Sequence, residues 1–123
     1  MTLHRSLALF AAVSGALAVI LGAFAAHGAG PQIKSLLTTG AQYQMGHALL
    51  ALICAAWPGG GRLAGVAGWL AGVGGLVFSL ALASVALLRL SVMGAVAPVG
   101  GMLMIAGWLV LGFAVLRSRS VNA

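Results

Sequence analysis

The side chains most capable of chemistry lie close together in the segment AQYQMGHALL, residues 41–50. Two glutamines, a tyrosine and a histidine interrupt a chain that is otherwise mostly alanine, glycine, leucine and valine. On a helix, at about 100° per residue, Tyr43, Gln44 and His47 share one arc, whereas Gln42 points elsewhere. Such side chains can bind a small ligand or ion, shuttle a proton, or hydrogen-bond neighbouring helices.

These interpretations make different demands on the residues. Helix-to-helix hydrogen bonds of roughly 0.6–2 kcal/mol would satisfy the polar groups in lipid, and the sequence favours this structural role. A ligand or ion site would use His27 and His47, because histidine changes charge near neutral pH. Catalysis is not predicted, since no nucleophile is evident and the chain has no Asp or Glu to orient a base. A metal site is not predicted either, because two histidines do not supply three or four ligands and Cys54 lies about 10 Å deeper than His47. We expect no cofactor.

The composition of the chain indicates whether these residues lie in water or in a lipid bilayer. Of the 123 residues, 63% are hydrophobic and 5% are charged, whereas soluble domains carry about 25% charged residues. The apolar runs approach the roughly 20 residues that a bilayer span requires. The sequence therefore predicts an integral membrane protein. The lack of carboxylates also removes the membrane-embedded acid on which many proton-coupled carriers depend.

The charge of the chain has the same explanation. Six Lys and Arg residues give a net charge of +6, but they stand singly at the ends of apolar runs rather than on the clustered basic face of a nucleic-acid-binding protein. We therefore expect contact with anionic lipid headgroups and no binding of nucleic acid.

The apolar runs predict an all-α membrane protein, a single domain of four transmembrane helices. They lack the two-residue alternation of a membrane barrel. A cleaved signal peptide is the competing interpretation of the first run, although this run is long for a signal core of about 7–15 residues. The predicted helices are residues 7–26, 41–57, 63–88 and 92–116.

Two interruptions modify this pattern. Between the first two helices, Ile33, Leu36 and Leu37 share one face of a short amphipathic segment, expected to lie in the headgroup layer. The fourth helix is expected to break or kink at Pro98 and at the Gly100–Gly101 pair. A broken helix can line a binding site in transporters, although such residues more often mark only a loop end or a mild kink.

Small residues recur every fourth position in the first helix and as two G-x-x-x-G pairs in the third. Such faces allow close helix packing, within one molecule or between copies. Trp108 is interpreted as an interfacial anchor or a packing residue. The small-residue positions are Ser14, Ala18, Gly22 and Ala26, and Gly61, Gly65, Gly68 and Gly72.

Four spans bring both termini to one side of the membrane. That side carries Arg5, Arg62, Arg117 and Arg119, against Lys34 and Arg89 on the other, which favours cytoplasmic termini. His47 would then lie only about 6–9 Å below the outer entrance. The expected outer-half polar cluster consists of His27, Gln42, Tyr43, Gln44 and His47.

Four motifs give the chain a family resemblance. GAFAAHG (residues 22–28), AQYQMGHAL (41–49), LVFSLAL (76–82) and APVGGMLMIAGW (97–108) occur in this order. They resemble the patterns GAFGAHxL, QYQMYHAL, LFSGSLY and TPIGGxxFxxGW of the YgdD/YwdK-like family of small bacterial membrane proteins. The resemblance implies four retained helices and the bacterial cytoplasmic (inner) membrane. It implies no activity, because that family is uncharacterised.

The chain departs from the family pattern near the polar motifs. Ala25 replaces a glycine, Gly46 replaces an aromatic residue, and Leu80–Leu82 replace Gly-Ser-Leu. Loss of the serine and of the aromatic residue next to His47 removes polar reach from the cluster, which argues against a demanding chemical site. We therefore predict a non-enzymatic membrane module that self-associates or docks on a membrane partner. The alternatives are a small-molecule or ion carrier or channel that uses the cluster, and an enzyme acting on lipid or quinone through His27, Tyr43 and His47.

Overall fold

A computed structural model describes residues 3–118 of the chain, and this part is helical with no strand. Arg119, counted above among the cations, lies outside the described residues. Short connections join the helices, so consecutive helices are neighbours and alternate in direction. The elements are α1 (Arg5–His27), α2 (Pro31–Ala56), α3 (Gly61–Leu88), a 3₁₀ turn (Ser91–Ala95) and α4 (Ala97–Arg117).

Three of the helical segments are long and apolar enough to cross a membrane. They are Arg5–His27, Gly61–Leu88 and Ser91–Arg117. The second helix is also long enough, at 26 residues or about 39 Å, but its glutamines, threonines and histidine make it less apolar. For these three helices, the prediction of segments long and apolar enough to cross a membrane is therefore confirmed.

The start of α2 differs from the prediction. The segment expected to lie in the headgroup layer is the first part of this helix, which begins at Pro31 and continues without a break to Ala56. Proline fits the first helical turn because its missing N–H would have no partner there. Leu37 is only 2% exposed and packs with Ala25 and Ala86. The apolar face of this segment is thus buried against α1 and α3, which draws it into the bundle.

The fourth helix has no break at its glycines. Pro98 lies in the first turn of α4, and Gly100 and Gly101 continue the same helix to Arg117. A 3₁₀ turn precedes it. Before that turn, α3 ends at Leu88, and Arg89 caps it in the left-handed conformation, with φ of 56°. Pro98 therefore marks the entry to the helix rather than a kink within it.

Glycines allow α4 to lie directly on α3. A Cβ atom added to Gly100 would lie 2.6 Å from the backbone nitrogen of Phe78, and one added to Gly107 would lie 2.8 Å from that of Ala71. From the α3 side, a Cβ on Gly74 would lie 2.7 Å from the nitrogen of Met104. Only the absence of side chains lets the two backbones approach so closely, as in other membrane bundles.

The opposite face of α3 holds α1 and α2. A Cβ on Gly68 would meet Leu7 and Cys54, and one on Gly72 would meet Phe10 and Ala51. The glycine repeat of α3 is therefore used for packing inside the molecule.

The small residues of the first helix serve the same purpose. Ser14 and Ala18 are buried, and a Cβ on Gly22 would lie 3.8 Å from the Cβ of Ala41 on α2. Ala26 lies on the exposed side. Of the two uses predicted for these faces, the structure shows packing within one molecule.

Candidate functional site

Gln44 is the most deeply buried polar residue of the predicted cluster. Its side chain is 0% exposed, and its Nε2 donates to the backbone carbonyl of Ser14 at 3.0 Å and lies 3.2 Å from the Ser14 Oγ. The carbonyl can only accept, so it fixes which end of the amide faces α1. Oε1 has no hydrogen-bond partner in the described chain. Gln44 therefore joins α1 to α2 while leaving one acceptor unpaired.

His47 joins α2 to α4. Its Nδ1 lies 2.7 Å from the carbonyl oxygen of Tyr43, and the indole Nε1–H of Trp108 donates to its Nε2 at 3.0 Å. A carbonyl only accepts and an indole N–H only donates. Both bonds therefore fix one neutral tautomer, with the proton on Nδ1. Each ring nitrogen of His47 therefore has a hydrogen-bond partner.

Glycine brings this histidine against the central helix. A Cβ on Gly75 would lie 3.0 Å from the Cβ of His47 and 3.3 Å from the Tyr43 carbonyl oxygen. His47 is consequently only 9% exposed although it sits at the edge of the bundle. A larger residue at position 75 would push α2 away from α3 and disturb the bond to Trp108.

Aromatic rings surround the histidine on two sides. The Tyr43 ring is nearly parallel to the imidazole, at 6.2 Å between centroids and 13° between planes. Phe78 meets Tyr43 edge to face at 5.1 Å, and Trp108 meets His47 edge to face at 6.1 Å. These are favourable arrangements for aromatic pairs, so four rings from α2, α3 and α4 hold one another in place.

Beside these rings lies an open pocket of about 510 Å³ between α2 and α4. We call it the α2–α4 pocket. Its volume falls within the range of about 300–1,000 Å³ typical of small-molecule sites. It is lined by Thr39, Tyr43, His47, Phe78, Gly101, Met104, Ile105 and Trp108.

Other residues predicted for the cluster lie apart from it. The His27 and Gln42 side chains are exposed and make no hydrogen bond within residues 3–118. Gln42 does border a shallow depression beside Tyr43 and His47. Ser84 donates to the carbonyl of Leu80 in its own helix at 2.8 Å. The polar residues therefore divide between a Gln44–Ser14 contact on one side of α2 and a His47–Trp108 contact on the other.

The depth of the cluster also differs from the prediction. Because α2 begins at Pro31, Gln44 lies about 20 Å along that helix rather than at its entrance. Its partner Ser14 lies about 14 Å from the start of α1, which is about 34 Å long. The contacts are therefore near the middle of the bundle. The prediction placed them too close to one end because it took the first turns of α2 for a separate segment.

The sequence analysis did not identify Trp108 as a partner of His47. The two residues are 61 positions apart in the chain, and an interfacial anchor or a packing residue was all that the sequence indicated for Trp108. Nor does the spacing of residues on α1 reveal that Ser14 pairs with Gln44. No group of three or more His, Cys, Asp or Glu side chains comes together between residues 3 and 118.

Comparisons with known proteins give one consistent similarity. A family model described as a protein of unknown function (DUF423) matches residues 21–101. A UPF0382 membrane protein of Staphylococcus epidermidis is 37% identical over 111 residues, covering 86% of this chain and 91% of the relative. The UPF0382 membrane protein YwdK of Bacillus subtilis is 35% identical over 115 residues, with coverages of 86% and 92%.

A UPF0382 membrane protein of Haemophilus influenzae is 36% identical over 118 residues, covering 89% of this chain and 93% of the relative. No solved structure matches the chain. The residues matched by the family model include Gln44 and His47 but end before Trp108.

Proposed function

Since the chain belongs to the DUF423 family of membrane proteins of unknown function, we propose that it is a non-enzymatic, multi-pass membrane module that self-associates or docks on a membrane partner. The resemblance drawn from the four sequence motifs is confirmed by this membership. The proposal rests chiefly on one observation: the two buried members of the polar cluster, Gln44 and His47, hydrogen-bond Ser14 on α1 and Trp108 on α4.

Hydrogen bonding supports a structural role for the cluster. Both ring nitrogens of His47 have partners, and the Gln44 amide nitrogen is bonded to Ser14. Bonds between membrane helices fix register and stabilise the bundle by about 0.6–2 kcal/mol each. A catalytic base would need a free lone pair near a substrate, and His47 Nε2 is occupied by Trp108.

Close helix contact argues against a route through a single molecule. The backbones of α3 and α4 touch at Gly74, Gly100 and Gly107, and α3 packs on α1 and α2 through Gly68 and Gly72. A carrier or channel, the alternative function, would need these contacts to open or several copies to enclose a path. The unpaired Oε1 of Gln44 is the one observation in its favour, because pathways are lined by such acceptors.

Interaction would take place at the lipid-facing surface. A groove of about 270 Å³ between α1 and α2 is lined almost wholly by apolar atoms. Gly15 lines this groove, and a Cβ added to it would have no atom within 4 Å. An approaching helix can come closest where side chains are smallest. We assign this groove, which Ala12, Gly15, Ala16, Val19, Leu49 and Leu52 line, to contact with a second copy of the chain.

For the membrane, we propose the bacterial cytoplasmic (inner) membrane, with α2 as a fourth span and both termini on the cytoplasmic side. Bacterial membrane relatives support the location. The second helix buries Gln44 and His47 against its neighbours, which permits a less apolar helix to lie in lipid. The greater number of cations at the end that carries Arg5 and Arg62 supports the orientation.

Photo-crosslinking in native membranes tests the docking role. A photoreactive amino acid at Leu49, in the α1–α2 groove, should give a dimer-sized adduct. The control position is Leu109, which is 70% exposed on α4 and lines no described pocket. Adducts of equal yield at both positions would mean random collision. Larger adducts at Leu49 would identify a different membrane partner in place of a second copy.

Reconstitution tests the rival role. Vesicles that contain the protein should show no ion or proton flux that depends on His47, measured with the wild type and with His47→Ala. Flux that is present in the wild type and lost in this variant would favour a carrier. Lipid or quinone products formed only with intact histidines would favour an enzyme.

A further inference from the structure

We propose that the α2–α4 pocket binds a planar, lipid-soluble carbonyl compound of the isoprenoid-quinone class, with the Tyr43 hydroxyl as the hydrogen-bond donor to a ring carbonyl. This inference goes beyond docking between proteins and does not depend on it. The docking groove lies between α1 and α2, whereas this pocket opens between α2 and α4.

The first argument is the concentration of aromatic side chains. The chain has only eight Phe, Trp and Tyr residues, and three of them, Tyr43, Phe78 and Trp108, line this one pocket together with the His47 imidazole. Aromatic faces and edges bind flat rings through offset stacking and edge-to-face contacts. An acyl chain needs no such walls, so the composition of the pocket favours a planar ligand.

The second argument is that the walls are fixed in advance. Trp108 is held by its hydrogen bond to His47 at 3.0 Å, and His47 is held in turn by the Tyr43 carbonyl at 2.7 Å. Phe78 contacts the Tyr43 ring edge to face at 5.1 Å between centroids. A ligand that enters between these rings orders few side chains, which lowers the entropic cost of binding.

The third argument is a donor without a hydrogen-bond partner in the described chain, on the Tyr43 side chain, which is half exposed at the surface of the helices. The Tyr43 hydroxyl makes no hydrogen bond to residues 3–118, although Tyr43 lies about 18 Å along α2 from Pro31. A hydroxyl without a partner in an apolar medium is costly. Because His47 and the Trp108 indole already bond each other, this hydroxyl and that of Thr39 are the donors left to a ligand in the pocket wall. A ring carbonyl is the acceptor that such a donor lacks.

The fourth argument is the space at Gly101. This glycine lines the pocket on α4, and a Cβ added to it would have no atom within 4 Å. Its helical backbone has no positive φ, so any side chain can stand there without strain. The open position makes room for a ring between α2 and α4, and it provides a means of filling the pocket by substitution.

The test uses the full-length protein in detergent micelles and a ubiquinone with one isoprene unit as the probe, with quenching of tryptophan fluorescence as the signal. The wild type should show a saturable component above the collisional background. Gly101→Leu fills the pocket and should abolish that component. Gly112→Leu should preserve it. Gly112 lies on the same helix outside the pocket and is equally free of atoms within 4 Å, and both variants keep all three tryptophans.

Tyr43→Phe tests the hydrogen bond separately. It keeps the ring and removes the hydroxyl, so the dissociation constant should rise about 2- to 10-fold. Helical circular dichroism and elution volume must match the wild type for each variant, and Tyr43→Phe remains a test if Gly101→Leu does not fold.

Three outcomes would overturn the proposal. One is quenching without saturation in the wild type. Another is equal saturable quenching in the wild type and in a folded Gly101→Leu variant. The third would be seen by native mass spectrometry: the wild type retains phospholipid, Gly101→Leu abolishes this retention, and added quinone does not displace the phospholipid. This result would identify an acyl lipid as the occupant. None of these outcomes bears on crosslinking at Leu49, so the docking proposal can fail or succeed independently.

Discussion

The indole Nε1 of Trp108 lies 3.0 Å from the imidazole Nε2 of His47, across 61 residues of sequence. This bond connects α2 with α4, two helices that are each packed against α3. Together with the contact of Nδ1 to the Tyr43 carbonyl, it gives both ring nitrogens of the histidine a partner. A residue that the sequence offers as a titratable site is thereby part of the scaffold that shapes the α2–α4 pocket.

The first prediction concerns this bond. A double-mutant cycle with His47→Phe and Trp108→Phe should give a coupling free energy of about 0.5–1.7 kcal/mol, because each change keeps a ring and removes the bond between them. His47→Phe also removes the Nδ1 contact with Tyr43, but this loss occurs with and without Trp108 and cancels in the cycle. Unfolding in detergent by increasing SDS measures it. His27→Ala is the control and should leave stability unchanged, since His27 is exposed and without a partner in the described chain. Additive effects of the two Phe variants would show that the bond contributes nothing.

The second prediction concerns Gln44. Gln44→Ala should destabilise the protein by about 2 kcal/mol or more, because it leaves a cavity and removes the bond to Ser14. Gln44→Met also removes the bond to Ser14 but should cost only about 1 kcal/mol, since it keeps the volume and removes an acceptor that is already unpaired. Gln42→Ala, at an exposed position on the same helix, is the matched control. If Gln44→Met is as damaging as Gln44→Ala, the Oε1 has a partner that the bundle alone does not supply.

The third prediction concerns the α3–α4 contact. Gly100→Ala and Gly107→Ala place a methyl group within 2.6–2.8 Å of backbone nitrogen on α3, so each should cost about 1–3 kcal/mol as the helices separate. Gly101→Ala and Gly112→Ala meet no atom within 4 Å and should be neutral or slightly stabilising. The folded fraction that elutes as a single species from size exclusion reports the difference. Equal losses at all four glycines would contradict direct backbone contact.

The fourth prediction concerns orientation. In a Cys54→Ala background, Lys34→Cys should react with a membrane-impermeant maleimide added outside spheroplasts, and Arg62→Cys should react only after the membrane is permeabilised. The reason is that cations concentrate on the cytoplasmic side, at the end that carries Arg62. The reverse labelling pattern would invert the orientation, and labelling of both cysteines from outside would exclude α2 as a span.

The sequence alone determined that the chain is helical and belongs in a membrane. Runs such as residues 7–26 and 63–88 are too long and too apolar for any other medium, and the structure has three helices that are long and apolar enough to cross a membrane. The four motifs also identified the family. These properties depend on composition and local spacing, which are written along the chain and need no contact between distant residues.

The tertiary structure alone decided which polar residues act together. Local pattern assigned residues 33–37 to the membrane surface, but Leu37 packs against Ala25 and Ala86 and these residues form the first turns of α2. Gln44 and His47 therefore lie about 15 Å farther along that helix than predicted. The pairing of Gln44 with Ser14 depends on the contact of α1 with α2, and that of His47 with Trp108 depends on the distance at which glycines let α2 and α4 pack on α3. That distance is a property of facing surfaces from several helices, and no single segment encodes it.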